Sequence, residues 1–321
     1  MSDLPKAIHL REVGPREGLQ FEKAVVPTPE KVRLVDALSE TGVGEIEFAS
    51  FVSPKWVPQM ADAELWTEGI RKAPGVKYEG IWLNLQGFER ALALRDVLTL
   101  RPGFAVPASS TFWKKNANRT IEEQLEQMPS YVAAYRAAGF DHLNLSVGAA
   151  WGCNYEGAIP PERVVALLEQ AIAQASELGM PVGKIGLMDT MGWANPLAIK
   201  RLVGLVRDRW PELTVYLHLH DTRGTGIANF VAALEMGITE FDTAVGGMGG
   251  CPFAEHKGAA GNVCTEDAVF ICQEMGIDTG VDLDRLIAAA ELAEELIGHD
   301  LPGKVKRGGN LAHYRARAAT A

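Results

Sequence analysis

The sequence predicts an α/β chain folded as a (β/α)8 TIM-type barrel with extra C-terminal helices, and three observations carry that prediction. Short apolar and β-branched runs alternate with longer stretches of helical periodicity, the pattern of parallel strands joined by crossover helices. Eight such pairs can be counted, the number that closes a barrel. Polar residues gather where the strands end, on one rim. That gathering separates the barrel from a doubly wound open sheet, the main rival for the same alternation.

In chain order, strands are expected at 8–13, 45–49, 80–85, 104–107, 142–147, 184–188, 214–218 and 240–245. Helices are expected at 29–39, 120–138, 161–178, 196–209 and 227–236. Several open on Pro or on a capping hydroxyl. Thr120-Ile-Glu-Glu has the spacing of a capping box, and Gly42, Gly139, Gly179 and Gly237 stand where helices stop. After the eighth strand, 265–275 and 284–297 read as further helices, followed by a basic stretch from Lys304 to Arg317. No linker or low-complexity segment divides the chain. Residues 1–300 are therefore expected to form one catalytic domain, and 301–321 a solvated or frayed basic tail.

Composition narrows the function. A chain of 321 residues with 47% hydrophobic and 22% charged residues is globular and long enough for a large core. Its formal net charge of −10 disfavours bulk attraction to nucleic acid or to an anionic membrane. Cys153, Cys251, Cys264 and Cys272 show no Cys-x-x-Cys spacing, and a domain of this size needs no disulfide staples, so reduced thiols are expected. No charged segment followed by an apolar run opens the chain, and no apolar stretch reaches bilayer length. The expected location is cytoplasmic.

The rim residues carry chemistry. His218 and His220 in His-Leu-His-Asp alternate on a strand, so both imidazoles share one face and can converge on one ion. With oxygen ligands and no thiolate cluster, the pair points to Mg2+ or Mn2+ over a structural Zn2+. Glu17, in a tight Gly-Pro-Arg-Glu-Gly turn, is the best acidic ligand candidate; a surface pair with Arg16 is its plainer reading. Glu47 faces the barrel interior between apolar neighbours, where it could hold Arg16, bind metal through water, or act as a base. Arg16 beside a cation would stabilise an enolate or carboxylate oxygen. Asp189 could serve as a base or orient a ligand, against a strong alternative as a helix cap.

Asn84 and Gln86 end the third expected strand, Ser109 follows the fourth and Ser146 ends the fifth. Four glycines in the five residues before Cys251 make a mobile loop, suited either to delivering the thiol on closure or to cradling phosphate. Beyond it, Asn262 could supply a neutral oxygen, although alone it reads as a turn residue. Lys114, Lys115 and Arg119 beside Phe112 and Trp113 form a basic and aromatic cluster suited to an anionic, nucleotide-bearing ligand, or simply a solvated helix entrance.

Together these residues resemble the hydroxymethylglutaryl-CoA lyase family, within the TIM-barrel superfamily of metal-dependent lyases and Claisen-condensing enzymes. The resemblance spans about residues 8–295. It rests on Val-Gly-Pro-Arg-Glu-Gly-Leu-Gln at 13–20, Ser-Phe-Val-Ser-Pro-Lys-Trp-Val-Pro-Gln-Met at 50–60, Asn-Leu-Gln-Gly-Phe-Glu at 84–89, Gly-Cys-Asn-Tyr-Glu-Gly at 152–157, His-Leu-His-Asp-Thr at 218–222 and Gly-Gly-Cys-Pro-Phe at 249–253. It implies a divalent cation held by Glu17, His218, His220 and Asn262, an enolate stabilised by Arg16, support from Glu47, and proton transfer through Cys251. The implied reaction is retro-Claisen cleavage of an acyl-CoA such as 3-hydroxy-3-methylglutaryl-CoA or a citramalyl-type thioester, giving acetyl-CoA and a keto acid.

Arg16, Glu47, Asp189, His218 and Cys251 are thus the catalytic candidates. Gln20 and Ser50, inside the first two motifs, join Ser109, Lys114, Lys115, Ser146 and Arg223 as substrate-binding candidates. Four features depart from the family pattern: Glu17 stands where Asp is usual, Arg223 where Tyr is usual, Ser146 where an aromatic is expected, and the loop between Cys251 and Asn262 is about two residues longer. They bear on the acyl group more than on the reaction. A condensing transferase of the isopropylmalate-synthase type and a non-catalytic acyl-CoA-binding barrel are the alternatives. The expected partner is the acyl-CoA substrate, with no nucleic acid or membrane, and the expected assembly is a homodimer.

Overall fold

The computed structural model describes residues 4–250 and 260–319. Eight parallel strands are present: β1 His9–Glu12, β2 Glu45–Ser50, β3 Lys77–Ile81, β4 Gly103–Pro107, β5 Leu143–Gly148, β6 Val182–Met188, β7 Thr214–His218 and β8 Glu240–Thr243. Their hydrogen-bonded order is β3-β2-β1-β8-β7-β6-β5-β4, the cyclic order of a barrel written out from a seam between β3 and β4. Other groups tie that seam. The Thr99 amide donates to Tyr78 O on β3 at 2.7 Å. Trp82 Nε1 donates to the Tyr135 hydroxyl, which donates to Gly103 O on β4, both at 2.8 Å.

Seven strands lie within two residues of their expected spans. β3 does not: it begins three residues earlier than expected and ends at Ile81. The reason is at Asn84, whose side chain accepts from the Gly87 amide at 2.8 Å and caps the helix Leu85–Leu92, so 82–84 is connection. The true strand, Lys-Tyr-Glu-Gly-Ile, opens on the exposed Lys77 and points the buried Glu79 into the barrel. The expected helix 120–138 is two helices, Ile121–Leu125 and Met128–Ala137. Its capping box is real, with Thr120 and Glu123 bonding each other's backbone amides. Pro129 lies in the first turn of the second helix, where its fixed φ is accommodated without a missing hydrogen bond.

The barrel's two surfaces differ. Outward residues such as Leu10, Phe48, Val106, Leu145, Leu187, Leu217 and Phe241 are buried under the helices and form the apolar core. Inward residues are charged, polar or small, so the strands read as alternation rather than as continuous apolar runs. Toward the N-terminal end, Glu45 meets Arg101 at 2.5 Å, Lys77 at 2.7 Å and His9 at 3.3 Å, while Glu79 meets Arg101 at 2.7 Å and Arg11 at 3.3 Å. Each of these two buried carboxylates has a cationic partner, which is what keeps such an interior tolerable.

After β8 the helices Thr265–Glu274 and Leu283–Ile297 follow as expected. The segment from residue 301 divides in two. Leu301, Val305 and Lys306 are buried, with the Lys306 ammonium on the Glu294 carboxylate and on Leu301 O. The helix Leu311–Ala319 has no buried residue and touches the body through Arg315, bidentate to Glu274 at 2.7 Å, and through His313, 3.0 Å from Asp284. The first part is therefore docked, whereas the second lies on the surface, held by ion pairs. No helix among the described residues is long and apolar enough to cross a membrane.

Candidate metal centre

At the C-terminal mouth, β7 delivers His218 inward and the next inward position is His220. Their Nε2 atoms face each other at 3.0 Å. Glu17 closes the group: its Oε2 is 3.5 Å from His218 Nε2 and its Oε1 3.4 Å from His220 Nε2. These three are the one set of converging ligand-type side chains among the described residues. Glu17 sits on a helix, not in the tight turn expected from the sequence. Gly14–Phe21 is helical, because Pro15 falls in its first turn and pre-sets the helical φ. The turn of helix immediately after β1 aims Arg16 and Glu17 across the barrel mouth.

The chain returns from the loop after β8 alongside the end of β7. Asp221 N bonds Gly261 O at 2.7 Å and Val263 N bonds Leu219 O at 2.9 Å, placing Asn262 opposite His220. Asn262 Nδ2 donates to Met248 O at 3.0 Å, and its Oδ1 is buried without a partner. Gly249 lets the strands of this turn close. It has φ +90°, and a Cβ there would lie 2.7 Å from Asn262 Nδ2 and 3.0 Å from Glu17 Cγ.

The donor set fits a divalent cation. Two imidazole nitrogens 3.0 Å apart, a carboxylate beside both and an orphaned buried amide oxygen form a donor set suited to one divalent cation. Cis ligands bound at about 2.1 Å from an ion lie about 3 Å apart, so the imidazole spacing needs no rearrangement. From its place on the helix the Glu17 carboxylate reaches both histidines.

Charge surrounds the group in a closed ring. Arg16 binds Glu17 at 3.1 Å and Glu47 at 2.5 and 2.7 Å. Glu47 lies 3.3 Å from Arg11, which grips Asp242 through both oxygens at 2.7 and 2.8 Å. Asp242 Oδ2 then stands 3.1 Å from His218 Nδ1. A carboxylate on Nδ1 fixes the ring and leaves Nε2 for the cation side. Burial works against charge on both Glu17 and His218, yet each overcomes it. His218 and Arg16 hold the Glu17 carboxyl well below its usual range, while Glu17 and Asp242 push the His218 imidazole up to about 10.

A cavity of about 380 Å³ opens here, lined by Arg16, Glu17, Glu47, His218, His220 and Ser146 among others. Gln20 also lines it and has a buried, unpartnered Oε1. Ser50 is buried with an unpartnered hydroxyl. Ser109 caps the helix Ser110–Ala117, accepting from Phe112 N at 3.1 Å, and its hydroxyl meets Cys153 Sγ at 3.1 Å. Lys114 and Lys115 are exposed on that helix, with Lys115 Nζ 4.8 Å from the Tyr155 ring centre. Asp189 is buried beneath the mouth, and its oxygens accept from the amides of Trp193 and Ala194. It holds the 189–194 loop, while Asn195, not Asp189, caps the next helix. Arg223 donates from NH1 to Met191 O and Gly192 O, both at 2.8 Å, on the outer side of the same loop. Cys251 lies outside the described residues.

Sequence reasoning missed Arg11 and Asp242. The signal was present in Glu-Phe-Asp-Thr at 240–243, where Asp242 pairs in register with His218 on β7 and Arg11 on β1.

Comparison with known proteins extends this picture. The sequence pattern of the HMGL-like family matches residues 7–293. Mouse mitochondrial hydroxymethylglutaryl-CoA lyase is 40% identical over 307 residues, covering 95% of this chain and 90% of the mouse protein. The mouse cytoplasmic 3-hydroxy-3-methylglutaryl-CoA lyase is 40% identical over 318 residues, 98% of this chain and 87% of that protein. Among solved structures, the Bacillus subtilis HMG-CoA lyase superposes with a TM-score of 0.86 at 37% identity, covering 95% and 98% of the two chains. An Acinetobacter baumannii HMG-CoA lyase, solved with coenzyme A and 3-methylmalate, gives 0.85 at 38% identity, with 97% of each chain covered.

Proposed function

The chain belongs to the HMGL-like family, that of the hydroxymethylglutaryl-CoA lyases, and from that premise we propose that it is a divalent-metal-dependent carbon–carbon lyase cleaving 3-hydroxy-3-methylglutaryl-CoA or a close 3-hydroxy-3-carboxyalkyl thioester. The observation that carries the reading is the meeting of Glu17, His218 and His220 with the orphaned Oδ1 of Asn262 at the mouth of the cavity. These four residues would hold Mg2+ or Mn2+. When bound, the cation supplies Lewis acidity that makes the C3 hydroxyl easier to deprotonate and polarises the neighbouring oxygens.

The chain's own residues do the rest. Arg16 reaches into the cavity from the first turn of its helix, fixed in direction by Glu47, and its guanidinium stabilises negative charge developing on the thioester oxygen. Loss of the C3 hydroxyl proton forms the C3 carbonyl, the C2–C3 bond breaks, and the electron pair moves to C2 as the enolate of acetyl-CoA. Protonation of C2 completes the products, a role we assign to Cys251. Asp189 and Glu47 position groups, because their oxygens are engaged by backbone amides and by arginines. Gln20, Ser50, Ser109, Ser146, Lys114, Lys115 and Arg223 are assigned to binding or shaping the path of the acyl-CoA. The unit is read as one catalytic domain with a short tail, assembled as a homodimer in the cytoplasm.

The test is coupled detection of acetyl-CoA and acetoacetate from 3-hydroxy-3-methylglutaryl-CoA, with chelator-stripped protein reloaded with Mg2+ or Mn2+. Metal-dependent formation of both products supports the reading. Release of free CoA from acetyl-CoA plus a keto acid, without cleavage, would instead indicate the condensing transferase.

A further inference from the structure

One buried carboxylate takes no part in the ring of charge around Glu17 and His218. Leu10 and Glu12 alternate onto the outer face of β1, the face that carries the apolar core. Glu12 is fully buried there, and no lysine or arginine among the described residues pairs with it. A carboxylate in such a place is costly unless hydrogen bonds hold it. Its Oε1 accepts from Gly14 N at 2.7 Å and from Val245 N at 2.9 Å, and its Oε2 accepts from the Thr265 hydroxyl at 2.6 Å.

Each donor belongs to a different segment of the mouth. Gly14 opens the helix that carries Arg16 and Glu17; Val13, its cap residue, supplies no capping oxygen, so Glu12 takes the first amide instead. Val245 opens the turn after β8 that leads to Met248, whose carbonyl accepts from Asn262 Nδ2. Thr265 stands three residues beyond Asn262, and the chain between them is laid against Ala244: Ala244 N bonds Val263 O at 3.0 Å and Thr265 N bonds Ala244 O at 3.1 Å. Glu17 and Asn262 therefore each lie three residues from an atom that Glu12 holds. Gly14 is fitted to this arrangement, since a Cβ there would lie 2.6 Å from Glu12 Oε1 and 3.0 Å from Val245 N.

We propose that Glu12 is a positioning residue for the divalent-cation site: by tying the Glu17 helix, the turn after β8 and the Asn262 segment to one carboxylate, it sets the spacing of the two oxygen ligands. The inference rests on the cation site of the lyase reading above and deepens it by naming a group that governs cation affinity from outside the barrel. Glu12 acts through Gly14, Val245 and Thr265. Met at this position roughly keeps the volume but leaves two buried amides and a hydroxyl unmatched, whereas Gln keeps an oxygen for both amides and donates to Thr265.

The test measures Mn2+ dissociation constants by paramagnetic titration of chelator-stripped protein, with denaturation midpoints on the same samples. Glu12→Met should bind Mn2+ roughly 10- to 100-fold more weakly than wild type, and Glu12→Gln within about 3-fold of it. Leu168→Ala, on the buried face of the helix Pro161–Glu177, lowers stability by another route and should also stay within about 3-fold of wild type. If Glu12→Met does not fold, Thr265→Val, which removes only the Oε2 arm, is read in its place, with an expected loss of at least about 5-fold. Mn2+ affinity unchanged in the variant read, or weakened equally in Leu168→Ala, overturns the positioning role while the lyase reading stands. A wild-type protein that binds no Mn2+ overturns both. One that binds Mn2+ but cleaves no 3-hydroxyacyl-CoA defeats the lyase reading alone, and the affinities still decide the role of Glu12.

Discussion

Asp242 joins the histidine face of the site to its arginine face: one oxygen stands 3.1 Å from His218 Nδ1, while both oxygens are held by Arg11 at 2.7 and 2.8 Å. A metal-binding histidine needs its second nitrogen anchored, and here the anchor is itself clamped. Replacing Asp242 with Asn should weaken Mn2+ binding roughly 10- to 100-fold with the fold retained. Electron paramagnetic titration of Mn2+ checks this against the circular dichroism melt.

Arg11→Met leaves Asp242 without its guanidinium and removes one of the two arginines on Glu79. Breaking a buried ion pair on one side costs about 3–5 kcal/mol. Chemical denaturation should therefore show a large loss of stability, whereas a surface pair such as Arg201–Glu162 should cost under about 1 kcal/mol when broken.

Arg16→Met should lower kcat roughly 100- to 1000-fold while Mn2+ still binds, since the guanidinium is assigned to charge that develops during the reaction. Steady-state kinetics at saturating metal reads the first effect. The Mn2+ titration reads the second.

Gly249→Ala tests the closeness of the two segments that carry the proposed ligands Glu17 and Asn262. The new methyl would meet Asn262 Nδ2 at 2.7 Å and Glu17 Cγ at 3.0 Å, on a backbone with φ +90°. Mn2+ affinity should fall at least 10-fold, with a melting temperature lowered by a few degrees.

The pH dependence of stability has a definite sign. Glu12 accepts from Gly14 N, Val245 N and the Thr265 hydroxyl, but burial outweighs those bonds and raises its carboxyl to about 7; burial likewise raises Glu266 to about 7. Both groups bind protons more tightly folded than unfolded. Their contribution is full below about pH 4.5 and is lost as pH rises through about 7. Glu12→Gln keeps an oxygen for both amides and donates to Thr265, so it should remove on the order of 2 kcal/mol of that slope. Denaturation midpoints at pH 5 and pH 7 measure it.

Much of this was legible before any coordinates. Strand β7 and the helix Pro196–Arg209 match their expected limits, because apolar alternation and a Pro start mark them unambiguously. The residues Glu17, His218, His220 and Asn262 were legible as ligand types, and the structure brings all four to one mouth. What was not legible has physical causes. Charged strand residues such as Glu45 and Glu79 look solvent-facing until the polar barrel interior is known. The helix Gly14–Phe21 is hidden by two glycines and a proline that also suit a turn. The charged position in Glu-Phe-Asp-Thr marks Asp242 as an inward group, but its partner Arg11 lies 231 residues away in sequence on a neighbouring strand, so the pair itself shows only in the sheet register.

The most direct test titrates Mn2+ into chelator-stripped protein and reads bound ion and acetyl-CoA release from 3-hydroxy-3-methylglutaryl-CoA on the same samples. One ion per chain, with release rising in step with occupancy and both lost in His220→Ala, is the predicted result. Acetyl-CoA release that is unchanged in the stripped protein, or a full-occupancy protein that cleaves no 3-hydroxyacyl-CoA, would contradict the account.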